Sequence, residues 1–410
     1  MKTICIVTGS RAEYGLLKRI ILRFRTDPRV KLDFVVTGSH LQKDLGSTIT
    51  EIEKDGIEIT TKIYIPMGCD TKADMAYATA EAISAFAGYF EKNRPDLLII
   101  LGDRFEIFAV AYAAAIQAIP IAHIGGGQTT EGAVDEFIRH SITKMSYLHF
   151  STCKQYCNRI IQMGEDPSRV FNVGSPGVEN IITTPLLSQE ELQENLCFDL
   201  MSQKYCVVTF HPETMANENP KTQLSELVNA LNAFPEYKYI ITLANADAGG
   251  KLINNIWIEQ AKTKNNWLVV PSLGMQRYLS ALKYAEMMIG NSSSGIIEGP
   301  AMHIPTVNIG DRQKGRIIAD SIISCCPEKD QIKAAIEKAR TPEFRQIAKN
   351  VISPFGIGNT SEQVYKRIMN WLFSRTEFNP KKKFYDIHWE EHNEEHCNYP
   401  CQEQVKGVTG

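Results

Sequence analysis

Short apolar runs that end in turn-forming or polar residues recur along the whole chain. Each run is brief and is followed by Gly, Ser, Asp or His, which is typical of a buried β-strand. Between many of the runs lie helical patterns, such as YGLLKRIILRFRT and EIFAVAYAAAIQA. The runs are, in chain order, TICIVTGS, LDFVVTGSH, DLLIILGDR, IPIAHIGGG, YLHFSTC, VFNVGSPG, YCVVTFHPE, YKYIITLAN, WLVVPSLG, EMMIGNSSS and IPTVNIGDR.

Strands that alternate with helices predict parallel sheets covered on both faces, which is the α/β class. One sheet would not hold this many strands comfortably, so we divide the chain into two Rossmann-like domains. The break lies near GSPGVENIITTPLLSQEE, where the periodicity lapses and a new helix begins. We expect a first domain over 1–176, a second domain over 177–360, a helix over 361–376 that packs back on the first domain, and a loose tail over 377–410.

The carboxyl ends of the predicted strands carry most of the residues with suggestive chemistry. In open α/β sheets, ligands bind beyond these ends. Two domains would present them to each other, so the pattern predicts two Rossmann-like domains facing across a cleft. The residues are Ser10, Arg11, Asp103, Arg104, the segment 123–128, His211, Asn245, the segment 291–294, Asp311 and Arg312.

Composition narrows the function classes. Hydrophobic residues make up 43% of the chain and charged residues 22%, as in an ordinary globular protein. The formal net charge of -3 provides no basic surface for nucleic acid. No apolar run reaches membrane-spanning length, and the N-terminus lacks a signal-peptide pattern. The ten cysteines show no disulfide framework, so we expect a cytoplasmic protein with free thiols. The charge and the apolar runs together predict that it binds neither nucleic acid nor membrane.

The segment GNSSSGIIEGP, residues 290–300, predicts an anion site. It follows a strand and opens a helix, whose first N–H groups have no partner within the helix. Ser292 and Ser293 could add hydroxyls for a diphosphate, and Glu298 lies where a carboxylate could accept bonds from ribose hydroxyls. The alternative is a serine cap in front of an ordinary helix. The number of serines and the nearby Arg312 favour the functional interpretation.

Three further strand ends carry a charged or titratable residue. Arg11 follows a glycine turn that is neither a dinucleotide fingerprint nor a P-loop, and it could bind phosphate as a fork or simply be solvated. Asp103 and Arg104, in LGDRFE, could form a salt bridge or cap a helix instead of serving a site. His211 precedes a proline that fixes the turn, and a histidine there could titrate near neutral pH or bond a phosphate as a cation.

The stretch HIGGGQTTEGAVDE, residues 123–136, combines three glycines with carboxylates. Backbone that closely approaches a ligand requires missing side chains, so the glycines predict room for a sugar. Glu131 and Asp135 would share a helical face if the helix begins near Thr130. Together with Asp103 they would form a carboxylate cluster whose members raise one another's pKa, which suits acid–base chemistry. The alternative is acids that complement a helix dipole.

At these residues the chain resembles a known family. The motifs SRAEYG, LGDRFE, DEFIRHSITKMSYLHF, FNVGSPG, HPET, NADAG, GNSSSGIIE and NIGDRQKGR, in this order, are similar to those of the hydrolysing UDP-N-acetylglucosamine 2-epimerases of the bacterial sialic-acid and legionaminic-acid type. The resemblance extends from residue 1 to about residue 375. It implies a GT-B-like fold, a homodimer or homotetramer, and conversion of UDP-N-acetylglucosamine to UDP and free N-acetylmannosamine without a nicotinamide cofactor or a metal.

The resemblance also implies roles for individual residues. Asp103 and Asp135 match catalytic carboxylates, and Tyr278 matches an aromatic near the uracil. One branch of the family reads HIEGGE, and this chain instead has Gly125 and Gln128 at the two glutamate positions. Glu131 is the candidate replacement, so the predicted acid–base set is Asp103, Glu131, Asp135 and His211. The positions that match nucleotide-binding residues are Arg11, Arg104, His211, Asn245, Ser292, Ser293, Glu298 and Arg312.

The implied mechanism is anti elimination of UDP followed by syn hydration of a glycal. Several alternatives stay open on the same residues: a UDP-2,4-diacetamido-2,4,6-trideoxy sugar as substrate, a non-hydrolysing epimerase, a GT-B glycosyltransferase, or a nucleotide-sugar-binding module without activity. The tail HWEEHNEEHCNYPC has histidine and cysteine spacing that could bind zinc, although a loose acidic tail is the default interpretation. The residues concerned are His388, His392, His396, Cys397 and Cys401.

Overall fold

Two parallel β-sheets, each covered by helices, make up the computed structural model of this chain. The structure describes residues 1–42, 48–67, 71–131, 134–213, 219–244, 249–374 and 378–387. The strands of the first sheet are β1 (Lys2–Thr8), β2 (Val30–Val36), β3 (Thr61–Lys62), β4 (Leu97–Leu101), β5 (Ile121–Ile124), β6 (Leu148–Ser151) and β7 (Val170–Asn172). The strands of the second are β8 (Tyr205–Thr209), β9 (Lys238–Thr242), β10 (Trp267–Val270), β11 (Met288–Gly290), β12 (Thr306–Ile309) and β13 (Ile322–Cys325).

The helices occupy the connections between these strands. Those of the first half are α1 (Arg11–Arg25), α2 (Ile49–Lys54), α3 (Lys72–Lys92), α4 (Phe105–Ile116), α5 (Asp135–Met145), α6 (Lys154–Gln162), α7 (Pro176–Thr183) and α8 (Gln189–Leu196). Those of the second half are α9 (Pro220–Leu231), α10 (Gly250–Ala261), α11 (Gly274–Tyr284), α12 (Ser293–Ala301), α13 (Lys329–Ala339), α14 (Pro342–Asn350) and α15 (Thr360–Phe373). None of the helices in the described ranges has the length and apolarity needed to cross a membrane.

Both sheets have the strand order of a Rossmann fold. The first runs β3-β2-β1-β4-β5-β6-β7 and the second β10-β9-β8-β11-β12-β13. All recorded strand pairs are parallel, and the central strands are buried on both faces, as their continuous apolar runs predict. In each sheet the order reverses once, between β1 and β4 and between β8 and β11. Ligands of doubly wound sheets bind at this reversal, the switch point.

Two short strands escape the sequence pattern. β3 has two residues and β13 reads IISC, and each lies at the edge of its sheet. An edge strand has one neighbour and is partly exposed, so it does not need the continuous apolar run that identifies a central strand. The eleven runs identified by pattern correspond to the eleven other strands.

The C-terminal part of the chain returns to the first sheet. Helix α15 packs against α1 and contributes Val364 and Ile368 to the core of the first sheet. Residues 378–387 continue along the same half, where the Lys382 ammonium lies 2.7 Å from the buried Glu165 carboxylate and Tyr385 donates a 2.9 Å backbone hydrogen bond to Gly164. These contacts differ from the loose tail expected from residue 377, because a buried carboxylate requires cationic partners. The histidines and cysteines of the tail, whose spacing could bind zinc, lie outside the described residues.

Candidate active site

The switch point of the first sheet places two predicted residues side by side. β1 and β4 are neighbours, and Arg11 and Asp103 follow them. Arg11 is the first residue of α1, and its guanidinium donates a hydrogen bond to the hydroxyl of Ser272, which follows β10 in the second sheet. The Arg11 side chain therefore spans the space between the two sheets.

Asp103 forms a buried ion pair that sequence reasoning missed. Its Oδ2 accepts a 2.6 Å hydrogen bond from Nε of Arg139, which lies one turn into α5 and is 1% exposed. Nη1 of Arg139 donates 3.0 Å bonds to the Gln128 carbonyl and to Glu136, and Nη2 donates a 2.9 Å bond to the Thr130 hydroxyl. Arg139 thus ties Asp103 to the glycine-rich segment and to the start of α5.

The pKa of Asp103 runs opposite to the sequence prediction. Burial alone raises the pKa of this carboxyl, but the charge and hydrogen bond of Arg139 hold it below its ordinary value. His123, at the end of β5, is buried, and burial lowers its pKa to about 4. The ring is therefore neutral near pH 7, and its Nε2 donates to the Gly102 carbonyl at 2.9 Å. The expectation that crowding would raise the pKa of Asp103 is wrong, because an arginine separates the acids.

Glu131 and Asp135 do not share a helical face. Helix α5 begins at Asp135, whose charge raises the pKa of Arg139, so Glu131 precedes the helix instead of lying one turn inside it. The Glu131 side chain is 57% exposed and lies 4.0 Å from the Lys314 ammonium. Its backbone N–H donates to the Lys314 carbonyl at 3.1 Å. The predicted common face is wrong, and Glu131 instead contacts a loop of the second sheet.

A genuine pair of crowded carboxyls lies beside Arg104. Nε of Arg104 donates a 2.6 Å bond to Oε1 of Glu106, and Glu106 and Glu13 both lie against Gly9. Burial, followed by the charge of Glu106, raises the pKa of Glu13 to about 8. Each of the two carboxyls keeps one buried oxygen without a hydrogen-bond partner. Two carboxyls this close do not both ionise readily, so one proton stays with the pair near neutral pH.

Two of the three glycines after β5 serve the protein interior. A Cβ on Gly126 would lie 3.0 Å from the Thr143 hydroxyl, and one on Gly127 would collide with the Tyr156 carbonyl. A Cβ on Gly125 would meet no atom nearer than 3.9 Å, although its φ of +92° favours glycine. The prediction that all three make room for a sugar is therefore wrong for Gly126 and Gly127, which let α5 and α6 pack closely.

A neutral amide joins the two strand ends at the switch point of the second sheet. His211 follows β8 and Asn291 follows β11. The Asn291 side chain bridges the two strand ends, accepting from the His211 N–H at 2.7 Å and donating to its carbonyl at 2.8 Å. Gly290, with φ of +133°, leaves no room for a Cβ because the Thr209 carbonyl lies against it. The tight approach of β8 and β11 brings the start of α12 next to His211.

The N-terminus of α12 combines a serine cap with uncapped N–H groups. Ser292 is the N-cap, and its hydroxyl accepts from the Ser294 N–H at 3.3 Å. Ser293 is the first residue of the helix, and the Tyr278 hydroxyl donates a 2.7 Å bond to the Ser294 hydroxyl. The capping interpretation is thus correct for Ser292, and the helix still directs its N-terminal dipole into the site.

Two titratable residues flank this helix. Burial, and then the charge of Arg312, lower the pKa of His211 to about 3, so its imidazole is neutral near pH 7. The prediction of a cationic or near-neutral-titrating histidine is wrong for this reason. Burial raises the pKa of Glu298 to about 7, and a Cβ on Gly177 would collide with its carboxyl. Glu298 therefore lies against the start of α7, between the two sheets.

The remaining predicted residues complete the geometry. Nη1 of Arg312 donates to the Asn291 carbonyl at 3.1 Å, which places its guanidinium at the start of α12. Asn245 lies outside the described residues. The sequence analysis included Asn291 in the strand-end segment 291–294 but assigned no role to Arg139 or Glu136, although the i, i+4 spacing of acid and arginine in DEFIRH signals a paired helical face.

The sequence of this chain is similar to those of known proteins. A family model described as UDP-N-acetylglucosamine 2-epimerase matches residues 22–369. Polysialic acid biosynthesis protein P7 of Escherichia coli is 38% identical over 389 residues, which cover 94% of this chain and 98% of that protein. The GDP/UDP-N,N'-diacetylbacillosamine 2-epimerase (hydrolyzing) of Campylobacter jejuni is 40% identical over 346 residues, which cover 84% of this chain and 89% of that protein.

A solved structure agrees with the architecture. UDP-GlcNAc 2-epimerase from Neisseria meningitidis, crystallised with UDP-GlcNAc, matches with a TM-score of 0.76 at 17% identity, over 90% of this chain and 100% of that chain. The predicted α/β, GT-B-like fold is confirmed. The matched family model and the relatives above 30% identity also confirm the resemblance read from the motifs. The chain belongs to the UDP-N-acetylglucosamine 2-epimerase family.

Proposed function

We propose that this chain is a hydrolysing 2-epimerase that converts UDP-N-acetylglucosamine and water to UDP and N-acetylmannosamine. One observation carries the proposal: Asp103 is partly buried, is held ionised by Arg139, and is influenced by the charge of Arg316, on the same loop whose Arg312 bonds Asn291 at the start of α12. The first arrangement supplies a base and the second receives a diphosphate. The names of the E. coli and C. jejuni relatives support a place in the synthesis of sialic-acid-type sugars.

The first step is an anti elimination. A carboxylate removes the C2 proton, the electron pair forms the C1–C2 double bond, and the bond from C1 to the diphosphate oxygen breaks. We assign the proton transfers to Asp103 and Asp135, because Asp103 is ionised near neutral pH and both acids face Arg139. Glu131 is exposed, and we assign it to holding the loop of the second sheet rather than to the chemistry.

The departing UDP carries negative charge that the second sheet can stabilise. The α12 N-terminus, Ser293 and Arg312 lie on the second sheet, and Arg11 reaches toward them from the first. His211 is neutral and donates a hydrogen bond rather than a charge. Preorganised donors of this kind stabilise charge as it develops, which is usually the largest contribution to catalysis. Arg104 adds a cation beside Asp103, and Glu298 lies where it can accept from the ribose hydroxyls.

The second step is a syn hydration of the glycal. Water adds its hydroxyl to C1, and a proton returns to C2 on the face that gives the 2-epimer. C2 loses a proton in the first step and gains a proton in the second, and no hydride is transferred, so the proposed reaction needs no nicotinamide cofactor. Gly125 and Gln128 occupy positions where another branch of the family has glutamates. The acids that we assign to this chain instead follow the end of β4, as Asp103 does, and open α5, as Asp135 does.

A second substrate has its own support. The C. jejuni relative is named for a diacetylbacillosamine sugar and is 40% identical to this chain. A UDP-2,4-diacetamido-2,4,6-trideoxy sugar would undergo the same two steps at C1 and C2. It differs only at C4 and C6, away from the reacting bond.

The test offers both nucleotide sugars separately in deuterium oxide, with UDP release followed by chromatography and the sugar by NMR. We expect stoichiometric UDP and a free 2-epimer with deuterium at C2 from one of the two substrates. A UDP-linked product would indicate a non-hydrolysing epimerase, and turnover only with an added acceptor would indicate a glycosyltransferase. UDP binding without turnover of either sugar would leave only a binding module.

We also propose a homodimer or homotetramer in the cytoplasm. Tyr112 and Ile116 lie one turn apart on α4 and are 42% and 71% exposed, so they present an apolar strip that a second copy could cover. Sedimentation of the wild type and of Ile116→Glu tests this. A dimer or tetramer that dissociates in the variant supports the proposal, and a monomeric wild type contradicts it.

A further inference from the structure

A loop of the second sheet is docked on the first. Residues 310–317 follow β12 and contact the glycine-rich segment and α6 of the first half. The Lys314 carbonyl accepts from the Glu131 N–H at 3.1 Å, and the Gly315 carbonyl accepts from the Thr129 hydroxyl. On the far side, the Tyr156 hydroxyl accepts from the Ile317 N–H at 3.1 Å. The backbone on both sides of residue 316 is therefore held by the first half of the molecule.

The beginning of the same loop is tied to the nucleotide side of the cleft. Nη1 of Arg312 and Nε2 of Gln313 both donate to the Asn291 carbonyl, at 3.1 and 2.8 Å. Asn291 immediately precedes the N-cap of α12 and also fixes His211. Gln313 is buried, so this attachment is part of the packed interior. One short loop thus connects the anion-binding helix with the segment that holds Asp103 and Arg139.

Arg316 lies between Gly315 and Ile317, which are both bonded to the first half, and its charge acts on Asp103. Its Nε is buried without a hydrogen-bond partner. Burial, and then the charge of Arg139, lower the pKa of Arg316 to about 10, while the charge of Arg316 helps to lower the pKa of Asp103. A buried cation beside a second cation is stable only where anionic groups compensate both. Asp103 supplies one anion, and a substrate diphosphate would supply another.

We propose that Arg316 is a positioning residue, carried to the acid site by the second domain, which sets the Asp103 carboxylate for proton transfer only while the two domains are docked. This inference rests on the proposed function, because it assigns a residue to that reaction. It also gives the docked loop a role: nucleotide bound at α12 and the base at Asp103 become parts of one closed arrangement. Separation of the domains would withdraw Arg316 and leave Arg139 as the partner of Asp103.

The effect on pH dependence follows from the sign of the charge. A guanidinium favours the ionised carboxylate, so removal of Arg316 raises the pKa of Asp103 and moves the acidic limb of kcat/KM to higher pH. Arg139 remains, so we expect a shift on the order of 0.5 to 1 pH unit. The charged or titratable groups that face Asp103, Arg139 or Arg316 are Glu13, His123, Asp135, Glu136, Tyr156, Glu298 and Arg312.

The experiment compares Arg316→Gln, Arg316→Lys and the wild type, with Arg340→Gln as a matched control. Arg340 is an exposed arginine of the second half that pairs with Glu236 at 3.0 Å, so its variant removes a guanidinium without touching Asp103 or Arg139. Full pH profiles of kcat and kcat/KM are measured with the nucleotide sugar that the wild type hydrolyses, together with UDP affinity and thermal unfolding.

We expect Arg316→Gln to lose roughly 10- to 100-fold in kcat, because a slightly misplaced base is costly. Its acidic limb should move up in pH, UDP affinity should change less than about threefold, and the lysine variant should restore the limb. Arg340→Gln should match the wild type in every profile. Three results would each overturn the inference. The acidic limb of kcat/KM in Arg316→Gln could match the wild type, the variant could lose only UDP affinity, or its loss of kcat could follow its loss of thermal stability. A wild type that hydrolyses neither nucleotide sugar would overturn the proposed function and this inference with it.

Discussion

The two switch points are built on the same strand order and carry opposite chemistry. In the first sheet, the ends of β1 and β4 are surrounded by ionised groups, with Asp103 bonded to Arg139 and Arg104 bonded to Glu106. In the second sheet, the neutral amide of Asn291 joins the ends of β8 and β11, the neutral imidazole of His211 and the serine cap of α12 lie beside it, and the Arg312 guanidinium bonds the Asn291 carbonyl. One topology therefore supports both a centre of paired charges and one in which a helix dipole and a guanidinium lie beside neutral groups.

The difference follows from what each centre has to do. A general base must accept a proton and later release it, so it needs a titratable group whose pKa is set by a specific partner. A nucleotide site must hold an anion in every state of the reaction, and helix N–H groups and hydroxyls do so without changing charge. Removal of one partner from a buried ion pair leaves an uncompensated charge, whereas removal of one hydroxyl donor leaves the rest of the site intact.

Asp103→Asn separates the two centres most sharply. The amide keeps the shape of the carboxylate but cannot accept the C2 proton. An acid–base group contributes typically about 100- to 10,000-fold, so kcat should fall within that range. UDP affinity should change by less than about threefold, because the proposed nucleotide site lies at the second switch point. Steady-state kinetics and calorimetric titration with UDP measure the two quantities.

Two results would contradict this division. Turnover at the wild-type rate would show that Asp103 is not the base. A loss of UDP affinity as large as the loss of kcat would show that the two centres do not divide the work.

Arg139→Gln tests the stability of the charged centre. Arg139 is nearly inaccessible, and its loss breaks its ion pairs with Asp103 and Glu136. We expect about 3 kcal/mol less free energy of unfolding at pH 7, near the lower end of the range for a broken buried pair. Asp103 has a lowered pKa, so its contribution is present above its unfolded pKa and disappears as the pH falls through its folded value. The destabilisation should therefore shrink in acid.

Urea unfolding at several pH values measures this effect, and a double-mutant cycle with Asp103→Asn isolates the pair. A coupling free energy near zero would contradict the assignment of Asp103 as the main partner of Arg139.

Eleven strands could be predicted from the sequence, because a strand inside a covered parallel sheet is apolar on both faces and leaves a continuous apolar run. Of the four edge strands, β7 and β10 still carry such a run. The other two, β3 and β13, lack it. The strand-end rule also indicated Asp103, His211 and Ser292 correctly as neighbours of a switch point, because it depends on topology alone.

The charges of the site could not be predicted in the same way. Asp103 and Arg139 are 36 residues apart and meet because α5 crosses back over the end of β4. The start of α5 was misplaced by one turn, which put Glu131 on the wrong face. The pKa of His211 depends on burial and on Arg312, neither of which is visible in a local motif. Residue identity is local, whereas protonation is a property of the packed structure.

Glu13→Gln sharpens the comparison at the other acid pair of the first sheet. The folded pKa of Glu13 is raised to about 8, so its unfavourable ionisation costs stability as the pH rises from about 4.5 toward 8. The glutamine variant lacks this cost. Ionisation of Glu13 is opposed over nearly the whole range from pH 5 to pH 8, and one pKa unit corresponds to about 1.4 kcal/mol, so we expect the variant to gain roughly 3 to 4 kcal/mol over the wild type across that range.

The measurement is the free energy of unfolding of both proteins at pH 5, 6.5 and 8. Glu106→Gln is the contrasting variant, because it removes the partner of Arg104 and should destabilise. A difference between Glu13→Gln and the wild type that stays constant from pH 5 to pH 8 would contradict a raised pKa.

Ser292→Ala should have the smallest effect, and it should weaken UDP binding instead of lowering kcat. Loss of an N-cap hydroxyl costs about 1 kcal/mol of stability, and Ser188→Ala, at the N-cap of α8, removes a similar bond far from the cleft. Both variants should therefore lose similar stability. Only Ser292→Ala should weaken UDP binding, by roughly 3- to 10-fold for one hydrogen bond, with kcat nearly unchanged. Equal UDP affinity in the two variants would mean that Ser292 only caps the helix, and the backbone N–H groups of α12 would then carry the anion site alone.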